Sequence, residues 1–138
     1  MRTLIALAVL TAFGFALGLN GAAMAQKKHA PKLVWQAMVA SLNDIQSITG
    51  ALAVFDMERA TTIADGLVNR ETFISKMEQL PEPVRKGHGK GAEAATELAA
   101  ATRSGDEQEI SMKIGAVLAA CSSCHYEVRD AERRKKLE

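Results

Sequence analysis

Cysteine is scarce in this 138-residue chain: two residues, Cys121 and Cys124, three positions apart. A disulfide between them would close a very small loop and restrain little of the unfolded chain, so a fold built on disulfides is excluded. Aromatic residues make up 4% of the chain. Strictly alternating runs of aromatic and β-branched residues are missing too, which argues against a sandwich or barrel. There is no surplus of either charge, with 17 basic against 16 acidic side chains. Nucleic-acid binding wants a basic surplus, so it is not expected. Uninterrupted apolar sequence is confined to the first twenty residues.

That apolar run has the form of an export leader. Arg2 supplies a positive start, Leu4 to Leu19 carries no charge, and Ala23-Met24-Ala25 is a small-residue cleavage site before the polar "QKKHAPK". The expectation is a cleaved signal over residues 1–25 and a mature domain over 26–138. With Arg2 gone the domain is formally neutral. A periplasmic location follows, with no membrane association after cleavage.

What is abundant is Ala, Leu, Glu and Lys in helical spacing. A first helix is expected from about Pro31, with Val34, Met38, Leu42, Ile45, Ile48, Leu52 and Phe55 on one face. Asp56 is an acceptable N-cap for a second helix, which breaks near Asn69-Arg70 and resumes to Leu80. "PEPVRKGHGKG" holds two prolines and three glycines and reads as a loop. A third, alanine-rich helix spans about Ala92 to Thr102. A fourth opens at Asp106 with Glu109 three residues on, and continues through Ile110, Ile114, Val117 and Cys121 into the charged tail. The expected fold class is all-α, an antiparallel up-down-up-down four-helix bundle. Its core is poor in bulky side chains and would gain from a large apolar group.

Cys121, Cys124 and His125 form C-x-x-C-H, the attachment signature of c-type haem. Each thiol adds across one porphyrin vinyl group, and two intervening residues set the sulfurs at the required separation. The histidine that follows meets the iron as proximal ligand. Two other chemistries use these residues. A thioredoxin-like redox pair belongs at a helix N-terminus, where the dipole lowers a thiol pKa, whereas this pair lies far along a helix. A zinc site would need a fourth ligand such as His29 or His88, and would crowd three ligands into five residues.

The fourth-helix stretch resembles the class II cytochromes c, the group that includes cytochrome c′. Those proteins carry C-x-x-C-H near the C-terminus, on the last helix of a four-helix bundle. Gly105-Asp106 before that helix, and Arg129 four residues after His125, match the family's habits. Val128 stands where the family often has an aromatic, and Val34 where it often has an arginine. The resemblance implies one covalent haem c with His125 as proximal ligand. "WQAMVASL" resembles the first-helix stretch in which methionine-ligated members carry their distal ligand, which implies Met38 in that role. Arg129 is then placed for a haem propionate.

In an up-down bundle the end of the fourth helix lies beside the start of the first. Met38, Met77, His29 and His88 therefore belong to the haem end, and Met57 and Met112 to the far end. His88, flanked by glycines in the expected loop, is expected to be exposed. Trp35 and Tyr126 are expected near the haem. The basic run Arg133 to Lys136 either docks an acidic redox partner or offsets the helix dipole. The expected function is electron transfer between redox proteins, not catalysis. The alternatives are a five-coordinate haem protein binding nitric oxide or carbon monoxide, and a haem-free thiol-redox or zinc protein. Small residues on the first helix would let a homodimer form.

Overall fold

The computed structural model describes residues 32–135. The leader, Pro31, His29 and Lys136 lie outside the described residues. Among those described there are four helices and no strands: α1 over residues 32–53, α2 over Met57–Ser75, α3 over Glu82–Ser104 and α4 over Glu107–Lys135. None is long and apolar enough to cross a membrane. The links span residues 54–56, 76–81 and 105–106. Links this short favour antiparallel neighbours, and α3 packs against both α2 and α4. Residues from Val34 onward form one compact unit.

The buried face of α1 is Ala37, Ser41, Ile45, Ile48 and Ala51. It is rotated slightly from the expected stripe, because three small residues let neighbouring helices approach more closely than Leu42 would. Leu42 and Phe55 are exposed. Phe55 ends the helix with φ 59, and its N–H bonds to the Leu52 carbonyl. A left-handed phenylalanine is costly and stands only where the turn fixes it. Asp56 then caps α2, its side chain accepting the Arg59 N–H at 3.0 Å.

Two expectations need correction. α2 does not break at Asn69-Arg70. Its buried stripe of Ala60, Ala64, Leu67, Glu71 and Ile74 runs straight through, and Arg70 pairs with Asp44 of α1. It stops at Ser75 instead of reaching Leu80. More important, "PEPVRKGHGKG" is not a loop. α3 begins at Glu82 with Pro81 as N-cap, and runs through all three glycines. Prolines at a helix start sacrifice no intrahelical hydrogen bond, so Pro81 and Pro83 mark an entry and not a break. α3 ends at Gly105, whose φ of 74 is the left-handed cap that glycine supplies. Asp106 caps α4 by accepting the Gln108 and Glu109 N–H groups, both at 3.0 Å.

The apolar core fills one half of the bundle. Ile45, Ile48, Ala51, Ala60, Ala64, Leu67, Ala95, Leu98, Ala99, Ala101, Ile110 and Val117 form a single cluster. Outside that cluster Ala37, Ile74 and Leu80 are also buried, as are the polar Ser41, Glu71 and His88, and the two cysteines line a cleft. Close packing stops there. The expected layout places Met57 and Met112 at the far end: Met57 packs on the apolar core, and Met112 is exposed on the first turns of α4.

Candidate functional site

The cleft has a volume of about 330 Å³ and draws on all four helices. Cys121, Cys124, His125 and Leu118 line it from α4, and Trp35, Met38, Val39, Ser41, Leu42 and Ile45 from α1. Glu71 comes from α2, and Gly87, His88 and Gly91 from α3. The helical register explains the α4 set. Cys121 and Cys124 continue the inward phase of Ile114 and Val117, and His125 lies a further 100° round the helix. All three motif residues therefore reach one cavity, and Met38 of α1 lines it too.

The cleft is rimmed by large apolar side chains open to solvent. Trp35 is 61% exposed and Leu42 51%, with Val39 and Leu118 also exposed. Such a contiguous apolar rim marks a binding surface. Tyr126, by contrast, belongs to a separate surface hollow with Glu82, Pro83, Lys86, Glu127, Asp130 and Arg134. Arg129 is exposed and does not line the cleft. Met77 is half-buried in the link after α2. Arg134 of the basic run is held by Asp130 at 2.9 Å.

Both cysteines are free thiols. Partial desolvation in the cleft pushes the Cys121 thiol above its ordinary value, helped by the charge of Glu71 and by the repulsion a thiolate at Cys124 would exert. Cys124 is raised by burial, then by Glu127 and Glu71, with Lys90 opposing. Both shifts disfavour the thiolate form. Among the described residues, which leave out His29, no three His, Cys, Asp or Glu side chains are grouped to hold a metal ion.

The sequence reading missed the deepest part of the cleft. His88 was expected to be exposed, yet it is buried, 6% accessible, because α3 carries it into the bundle. Its Nδ1 lies 2.6 Å from Glu71 Oε2. The other carboxylate oxygen of Glu71 accepts the Ser41 hydroxyl at 2.6 Å. Three helices thus contribute to one buried polar layer. The glycines make room for it. A Cβ on Gly91 would stand 2.9 Å from Glu71 Oε2, and one on Gly87 would stand 2.1 Å from Cys124 Sγ. Ser41 lies off the stripe expected for the first helix, and its inward position shows only once the helix register is known.

No family model, curated protein or solved structure matches this chain.

Proposed function

We propose that this protein is a periplasmic electron-transfer cytochrome with one covalently attached haem c, held by thioether bonds at Cys121 and Cys124. The observation that carries this reading is the convergence of Cys121, Cys124, His125 and Met38 on one apolar-rimmed cleft. The donor set suits the group: two thiols at the attachment spacing, an imidazole beside them, and a thioether from another helix. When bound, haem c supplies a one-electron ferric/ferrous couple.

The residues divide the work. Cys121 and Cys124 would anchor the porphyrin, and His125 would supply a ring nitrogen to the iron. Met38 would supply a thioether to the iron, which would close it to outside ligands and raise its potential. Trp35, Val39, Leu42 and Leu118 exclude water from the porphyrin face. Arg129, exposed on α4 one turn beyond His125, would be the residue to pair with a propionate, since a guanidinium suits a carboxylate. Partners are other redox proteins, and the exposed basic residues Arg133 and Arg134 offer a docking patch for an acidic one. The leader over residues 1–25 directs the chain to the compartment where such haem is attached.

Cys121→Ala and Cys124→Ala, made singly and exported, are expected to lose stable attachment of haem through both thioethers. A variant of either kind that retains the complete wild-type haem linkage through denaturation would refute the anchoring role. Met38→Ala is expected to convert a low-spin ferric spectrum to high-spin and to admit carbon monoxide. An unchanged low-spin spectrum would remove Met38 from the iron. A wild type that is already high-spin and binds carbon monoxide would instead favour the five-coordinate, gas-binding alternative.

A further inference from the structure

The Ser41–Glu71–His88 layer has no part in anchoring or ligating haem, and it is an expensive thing to bury. Charged and polar groups in a core cost desolvation that an apolar layer would avoid. Here the layer is satisfied. Glu71 Oε1 accepts the Ser41 hydroxyl and Oε2 faces His88 Nδ1, each at 2.6 Å. An ionised carboxylate is acceptor-only, so both neighbours face it as donors. The Arg70 guanidinium on the same helix is engaged by Asp44, and reaches Ser41 Oγ only at 3.5 Å. Gly91 leaves room for the carboxylate against α3. The result is an oriented negative group in the wall of the cleft that also holds Cys121, Cys124 and His125.

We infer that Glu71, fixed by Ser41 and His88, is the residue that holds down the reduction potential of the haem in this cleft. The inference rests on the haem reading above. Reduction takes one electron from a partner redox protein and turns ferric iron to ferrous, so the haem loses one positive charge. A negative group buried beside it favours the ferric state. At an effective dielectric of about 20, a unit charge in the wall of a cleft this size would shift such an equilibrium by roughly tenfold. A thioether on the iron pushes the potential up, and Glu71 opposes it. Hydrogen bonding and burial around a redox centre are the means by which a protein sets its potential.

Glu71→Gln removes the charge while keeping size and an acceptor oxygen. In the haem-loaded full protein, the ferrous-to-ferric ratio at fixed applied potential should rise about tenfold, an upward shift of about 59 mV for one electron. The absorption bands that report the axial ligands should not move. Ser41→Ala removes one donor and leaves the charge less dispersed, so the potential should fall. A structural role alone would not give opposite shifts with unchanged ligand bands. If Glu71→Gln does not take up haem, Ser41→Ala decides: a lower potential supports the inference and an unchanged one overturns it. A loaded Glu71→Gln with the wild-type potential also overturns it, and leaves the haem reading intact. A wild type without covalent haem overturns both.

Discussion

Cys121 and Cys124 sit where a thiol is a poor acid. Burial raises both, and Glu71 adds to the effect in each case. In haem-free protein, alkylation at pH 7 should be slower than in the unfolded chain, and should climb only as pH passes the ordinary thiol value of 9.0. The linked effect on folding has a definite sign. A raised folded-state pKa means the unfolded chain gives up its protons first. Haem-free protein therefore keeps this contribution below about pH 9 and loses it as pH rises further. Rapid labelling at pH 7 would return the cysteines to thiol chemistry. At this scale the sequence was informative where a residue type carries its own chemistry. Cys121, Cys124, His125 and Met38 could be picked out and reach one cleft. Ser41, Glu71 and His88 could not, because their roles depend on a helix register that juxtaposes three segments.

The element that sequence reading lost is the first half of α3. Three glycines and two prolines looked like a loop, since each glycine costs a helix interior about 1 kcal/mol relative to alanine. Two of the three are there for contact, not for flexibility. Gly87 lets Cys124 of α4 approach, and Gly91 admits Glu71. Gly89 has nothing within 4 Å of a would-be Cβ. The three sites therefore respond differently to one substitution. Gly89→Ala should stabilise the protein by about 1 kcal/mol, as helix propensity dictates. Gly87→Ala should destabilise it by roughly 1–3 kcal/mol or more, because the added methyl meets a sulfur and a Cβ. Denaturant midpoints measure both. Equal effects at the two sites would mean that α3 and α4 do not touch at Gly87. Capping, by contrast, was legible in advance. Asp56 and Asp106 cap α2 and α4 through local hydrogen bonds that need no tertiary information.

At the scale of the whole molecule, the chain divides its four helices between two tasks. One half is packed with Ile, Leu, Val and Ala into a continuous core. The other half opens into a cleft rimmed by Trp35, Val39, Leu42 and Leu118. The sparse core anticipated from composition is therefore local: the apolar cluster is complete, and the deficit lies at the cleft. The all-helical class, the helix count and the end of the bundle carrying the motif followed from spacing and short links. The polar floor did not, since composition says nothing of which few polar residues turn inward.

The central claim is that this cleft carries one covalent haem with a closed iron. The most direct test is the absorption spectrum of the exported wild-type protein, ferric and ferrous, with and without carbon monoxide, followed by denaturation and extraction. The prediction is haem that stays with the chain through denaturation, and a low-spin native spectrum with a methionine–iron charge-transfer band that carbon monoxide leaves unmoved. Haem that is extracted, or a chain that never acquires any, would contradict it.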